Sequence, residues 1–248
     1  MNNTTRIKQF TAACLIMASF SPALYAAPVK EGATKMQNRS ETLSERQQSI
    51  PLIASYMATS SMAKLNSALN QGLDAGLTVN EAKEILVQLY AYTGFPRSLN
   101  ALNELMKVVE ERKQRGIHDD QGKEPVSAVP VGEELRQIGI ANQTRISGAP
   151  VQGPLFDFAP VINQFLQTHL FGDIFARDNL DWQSRELATV GALAATPGAE
   201  AQLLSHLRAS LRVGLSSAQL RQLAQLLLEN GETDAAMRVE NALRDFPA

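Results

Sequence analysis

Cysteine is nearly missing from this sequence: 248 residues hold one, Cys14. It falls in a segment that reads as removed on export, so the mature chain is expected to carry no thiol. That excludes disulfides, CxxC redox pairs, cysteine nucleophiles and thiolate metal ligands. Histidine is scarce too, limited to His118, His169 and His206. None has a second ligand at HxxxH or HExxH spacing, so no metal is expected. Charge leans little to either side, with 23 basic and 25 acidic residues for a net −2. Nothing in it points to a nucleic-acid partner or a membrane surface. Sustained period-two alternation is absent, which argues against strands. A phosphate loop, a nucleophile elbow and a dinucleotide fingerprint are absent as well.

What is there begins with an export signature. Arg6 and Lys8 precede a mostly apolar run from Phe10 to Phe20, too short to span a bilayer comfortably, and then Ser21-Pro22-Ala23-Leu24-Tyr25-Ala26. Residues 1–26 read as a signal peptide, and cleavage after Ala26 would leave 222 residues with a net charge of −4. No leucine stands three before Cys14, so no lipid anchor is expected. The mature protein is expected in the periplasm or secreted, without a membrane anchor and stabilised by its core.

Helical periodicity fills the remainder. Residues 27–40 read as a flexible lead-in. Apolar stripes follow at Ile50, Ile53 and Met57, and at Met62, Leu65, Leu69 and Leu73, the latter ending at Gly76. Thr78-Val-Asn-Glu81 is a capping box that opens the next helix, broken near Gly94, with Pro96 starting another. Tyr90, Tyr92 and Phe95 read as core aromatics, and Trp182 as a hydrophobic anchor. Residues 116–155 form a polar, Gly- and Pro-rich connector with a short helix near 133–140. Helical spacing resumes at Phe156, gives way to a loop with apolar anchors after Leu170, and returns at Leu180. Ser216-Ser-Ala-Gln219 is a second capping box.

A shift of 138 residues superimposes Leu65–Leu77 on Leu203–Leu215 with six identities in thirteen positions: Leu65/Leu203, Ser67/Ser205, Leu69/Leu207, Leu73/Leu211, Gly76/Gly214 and Leu77/Leu215. The two capping boxes keep the same register. The chain is therefore expected to be all-α with two tandem repeats, 41–115 and 156–248, around the connector 116–155.

The second repeat carries the candidate chemistry. Two apolar-periodic runs flank Thr196-Pro197-Gly198, and Glu186 and His206 each lie ten residues from Thr196. In an antiparallel hairpin they would sit at equal height, roughly 15 Å from the turn at 1.5 Å per residue. A carboxylate facing an imidazole is a general acid–base pair, because imidazole titrates near neutrality. The matching positions of the first repeat hold Ala68 and Gln48 or Ser49, so only the second repeat carries the pair.

Two stretches, Gly76-Leu-Thr through Tyr90-Ala-Tyr-Thr-Gly-Phe-Pro-Arg-Ser-Leu-Asn-Ala-Leu102, and Leu180-Asp-Trp-Gln-Ser-Arg-Glu-Leu-Ala with His206 and Gly214-Leu, resemble the carboxymuconolactone decarboxylase family. That family is related to the alkylhydroperoxidase D proteins. The resemblance implies alkylhydroperoxidase D-like helical repeats and assembly into homo-oligomers, trimers or hexamers. The peroxidase branch carries a Glu, a CxxC pair and a His. Glu186 and His206 match its outer positions, allowing a one-residue adjustment, and the cysteine positions fall on Ala199 and Gln202. The decarboxylase branch needs no cofactor and acts on a small carboxylated lactone. It implies Glu186 and His206 as the catalytic pair and Arg185, Arg97, Arg208 and Arg212 as carboxylate binders. Three outcomes stay open: a carboxy-lyase-like enzyme doing cofactor-free acid–base chemistry on a small carboxylate or lactone, a non-catalytic oligomeric module binding such a molecule, and a residual peroxidase-type activity without its CxxC.

Overall fold

Helix caps written into the sequence set the start of three main helices. The computed structural model describes residues 41–126, 128–244 and 246. The expected signal peptide, the lead-in and Cys14 lie outside these residues. Helix α1 (Glu45–Ala58) opens on Ser44, whose side chain accepts from the Gln47 N–H while Gln47 accepts from the Ser44 N–H. The same reciprocal box opens α3 (Val79–Gln88) at Thr78 and Glu81. It opens α11 (Ser217–Glu229) at Ser216 and Gln219. Each such cap is worth about 1 kcal/mol.

The other helices are α2 (Met62–Asp74), the single turn α4 (Tyr90–Thr93), α5 (Phe95–Gln114), α6 (Glu133–Ser147), α7 (Pro154–Phe158), α8 (Pro160–Phe165), α9 (Trp182–Ala194), α10 (Glu200–Arg212) and α12 (Thr233–Leu243). Among the described residues every regular element is helical, and these residues form one unit. No helix among them is long and apolar enough to cross a membrane. Helices α2 and α10 close alike. Gly76 and Gly214 take φ +88° and +107°, and the following N–H bonds back to Gly72 O at 2.8 Å and to Ser210 O at 3.0 Å. Helices α2, α3 and α5 open at Met62, Val79 and Phe95, and α10, α11 and α12 open 138 residues later at Glu200, Ser217 and Thr233.

Helices α1 and α9 form the centre. From Ser49 to Ala58 and from Ser184 to Ala194 every residue is buried, so both helices are enclosed on all sides. Ile50, Ile53, Met57 and Leu187 are fully buried, each contributing about 1.5–3 kcal/mol by leaving water. The two helices cross closely at Gly191, where a Cβ would lie 2.5 Å from Pro51 O.

Residues 166–174 differ from the expected pattern. In place of a helix giving way to an irregular loop after Leu170, Leu166–Ile174 is a continuous π-helix. Backbone packing against α6 accompanies it. A Cβ on Gly139 would sit 1.6 Å from Gln167 O, and one on Gly172 would sit 2.9 Å from Leu135. Asn142 of α6 donates to Phe171 O at 2.8 Å. The connector helix also runs further than the sequence suggests, to Ser147, and stops at Gly148 with φ +80°. The charged loop after α5 is tied down rather than free. Val79 and Asn80 N–H bond to Asp120 O and Gln121 O, and Arg112 pairs with Asp119 and Asp74, both at 2.8 Å.

Candidate functional site: a buried carboxylate against an imidazole

Because α9 is enclosed on all sides, its polar residues need partners inside the protein. Asp181 caps the helix, accepting from Ser184 N–H at 2.7 Å. Arg185 and Glu186 follow, and both are fully buried. They point to different partners.

Arg185 turns to α3. Its guanidinium donates to Gln88 Oε1, Glu84 Oε1 and Arg177 O, each at 2.9 Å. Glu84 is itself buried and accepts further from Arg177 Nε and from Asn179 at 3.1 Å. Gln88 returns a bond to Arg185 O at 3.0 Å and one to Thr189 Oγ1 at 2.9 Å. Burial pushes the Arg185 pKa down, and Glu84 opposes that shift. Arg185, expected to bind a carboxylate ligand, is thus held in the interior by the protein's own acceptors.

Glu186 turns to α10. Its Oε2 lies 2.8 Å from Nδ1 of His206, the two residues that stand at equal distance from Thr196. With the carboxylate ionised, Nδ1 carries the hydrogen and Nε2 is left as the working nitrogen. No protein partner for Nε2 occurs among the described residues. The imidazole lines a cleft of about 300 Å³ together with Arg208, Arg212, Ser147 and Phe171. Arg208 and Arg212 are exposed, one helical turn apart on α10. Arg212 also donates to Ile146 O at 3.3 Å.

Arg97 lies elsewhere. It borders a separate cleft of about 640 Å³ with Tyr92, Thr93, Thr196 and Arg238, and it donates to Thr93 O at 3.0 Å. Of the four arginines expected at a ligand, two share a cleft with His206, one borders another cleft, and one is interior. Ala199 stands as N-cap of α10, and Gln202 is exposed on that helix.

One residue at this site was read from the sequence as core. Tyr92, from the single turn α4, sets its ring edge against the imidazole of His206, with centroids 5.4 Å apart and planes at 81°. Its hydroxyl is buried beside the Thr189 side chain with no hydrogen bond of good geometry, and Glu186 Oε1 is buried without a partner. Burial pushes the Tyr92 pKa well above the usual tyrosine range, the Glu186 carboxylate adds to the rise, and neighbouring Thr189 and Arg185 act against it. Only the meeting of α4 with α9 in space reveals this, since 92 and 186 share no sequence motif. Phe95, also read as core, is 61% exposed and stacks on Tyr90 at 4.2 Å.

The other histidines stand apart. His169 bonds Asp173 at 2.7 Å within the π-helix, and His118 is exposed. Among the described residues no group of three His, Cys, Asp or Glu side chains converges as a metal site would require. No curated protein matches the chain. Residues 160–245, which contain α9 to α12 with Glu186 and His206, match the sequence model of the carboxymuconolactone decarboxylase family.

Proposed function

We propose that this protein performs cofactor-free acid–base chemistry on a small carboxylate or lactone, with His206 moving the proton and Glu186 holding it. The observation that carries this reading is the 2.8 Å bond between a fully buried carboxylate and an imidazole that opens onto a cleft with two arginines. Arg208 and Arg212 would hold a substrate carboxylate, for which the guanidinium fork is suited. In a decarboxylation the breaking C–C bond leaves its electron pair on the substrate, and His206 would deliver the proton that quenches it. The same pair could shift a proton in a lactone or enol without loss of CO₂.

The test is a panel of small carboxylates and lactones screened against the full chain by thermal shift, followed by turnover of any binder. A ligand at about 100 Kd adds about 2.7 kcal/mol of stability, or roughly 5–10 °C for a domain of this size. Turnover lost in His206→Ala and Glu186→Gln supports the reading, and full turnover in His206→Ala overturns it. The placement of Ala199 and Gln202 where the peroxidase branch has cysteines favours a second reading, a non-catalytic binding module. Saturable binding with no turnover would select it.

The same proposal takes the chain as two fused repeats, 41–115 and 156–248, of which the first has lost the chemistry. The common spacing of helix starts supports it. Export, read from residues 1–26, would place this chemistry in the periplasm or outside the cell. The exposed apolar residues Phe158, Phe165 and Val161 support assembly into a homo-oligomer, which sedimentation of the mature chain would test.

A further inference from the structure

We propose that Tyr92, supplied by the first half of the chain, is a positioning residue of the Glu186–His206 pair, so that the site is a three-residue arrangement built from both halves. The part of the chain that matches the family begins at residue 160, so this contribution comes from outside it. The inference rests on the proposed function only for what the site does, not for how it is built.

Three observations carry it. The Tyr92 ring meets His206 edge to face, which restricts rotation of the imidazole about its own axis. The hydroxyl at the far end of that ring and Glu186 Oε1 are both buried; Glu186 Oε1 has no partner, and the hydroxyl has the Thr189 side chain beside it but no hydrogen bond of good geometry. Among the described residues, only three other buried side-chain atoms share that condition, so two of the five lie at this one site. Buried polar atoms are rarely left so, and a pair on neighbouring functional groups is a reservoir for interaction with something polar. Glu186 therefore has one oxygen for His206 and one directed elsewhere, and the hydroxyl that feels its charge is that of Tyr92.

The scaffold around Tyr92 suits placement. Helix α4 is four residues long, and Thr93 Oγ1 and the Thr93 N–H both bond Leu89 O at 2.9 Å. Gly94 N–H bonds Tyr90 O at 2.8 Å. Gln88, just before this turn, is bonded to α9 at Arg185 O and at Thr189 Oγ1. The segment that presents Tyr92 is thus fastened to the helix that presents Glu186. A core aromatic would need only the ring. A positioning residue needs the hydroxyl, which Phe lacks.

The experiment uses the full chain labelled at tyrosine Cζ with carbon-13, observed by NMR near neutral pH. Tyr92 is assigned by the resonance lost in Tyr92→Phe. If its hydroxyl faces the pair, that resonance moves in Glu186→Gln and in His206→Gln while those of Tyr56 and Tyr90 stay in place. A Tyr92 resonance unmoved in both variants overturns the proposal, whatever the ligand panel gives. Where a panel carboxylate or lactone is turned over by wild type, Tyr92→Phe should lower kcat about tenfold, the size of one hydrogen bond, with KM and the unliganded melting temperature unchanged. An unchanged kcat overturns the proposal. A panel with no binder defeats the proposed function and leaves the NMR result to decide the role of Tyr92.

Discussion

Glu186 Oε2 and His206 Nδ1 meet at 2.8 Å across the α9–α10 hairpin, and the carboxylate is fully buried while the imidazole keeps 15% of its side-chain surface. This asymmetry fixes which partner can be removed at lower cost. His206→Ala strips a buried carboxylate of the one hydrogen-bond partner it has among the described residues and should cost about 3–5 kcal/mol. Glu186→Gln removes the charge and leaves an imidazole that is partly exposed and that water can reach, so it should cost clearly less. Urea denaturation of both variants checks the order. The double variant should be more stable than His206→Ala alone, which marks the two as coupled.

Tyr92 gives a pH dependence with a definite sign. Burial first, and the Glu186 carboxylate second, raise its ionisation above that of a free tyrosine. Below about pH 10, the ordinary tyrosine value, both folded and unfolded chains hold the proton and stability does not depend on it. Above that pH the unfolded chain releases the proton first, binds fewer protons than the folded chain, and is favoured. Stability should therefore fall as pH rises through the tyrosine range, and the fall should be shallower in Tyr92→Phe. Denaturation midpoints of the two proteins between pH 8 and about pH 11 measure the difference. Parallel profiles would mean the hydroxyl is not buried as described.

The central crossing makes a steric prediction. At Gly191 an added Cβ would meet Pro51 O at 2.5 Å and Pro51 Cα at 2.7 Å, both main-chain atoms inside a helix. Neither can turn aside as a flexible side chain would. Gly191→Ala should force α1 and α9 apart and cost about 1–3 kcal/mol, visible as a lowered melting temperature. Because α9 carries Glu186, the same variant should also disturb the bond to His206. Gly198→Ala is the contrast: nothing lies within 4 Å of its Cβ, and its cost is confined to the backbone at φ +85°.

These details mark where the sequence could and could not be read. The hairpin pair was legible because the turn at 196–198 and the helical period together fix the height of a residue from its distance to the turn. Caps at Thr78 and Ser216 were legible because the box is a local pattern. The cap at Ser44, with Gln47 as its partner, has the same form as that at Ser216 with Gln219. Tyr92 was not legible: an aromatic near a helix break looks the same whether it faces core or site, and its hydroxyl matters only because α4 lies against α9. The π-helix was missed because Gly172 reads as a breaker in sequence, whereas in the fold its bare backbone packs beside α6. Arg185 looked like a ligand group because a guanidinium suits bidentate contact with a carboxylate. Burial of the whole of α9 sends it inward instead.

That inward arginine yields the last prediction. Arg185 and Glu84 form a buried ion pair at 2.9 Å, but their dependence on each other is unequal. Glu84 keeps Arg177 and Asn179 as donors when Arg185 is lost. Arg185 keeps only neutral acceptors, Gln88 Oε1 and Arg177 O, when the Glu84 charge is lost. Glu84→Gln therefore leaves an uncompensated buried cation and should cost about 3–5 kcal/mol. Arg185→Met fills a similar volume, leaves Glu84 paired, and should cost about 1–3 kcal/mol, mainly through the unmet bond of Gln88. Adding Arg185→Met to Glu84→Gln should restore stability, since it removes the stranded charge. Urea denaturation of the three proteins decides it. Equal single-variant costs, or a double variant no better than Glu84→Gln, would show that the cation finds another counter-charge or reaches water.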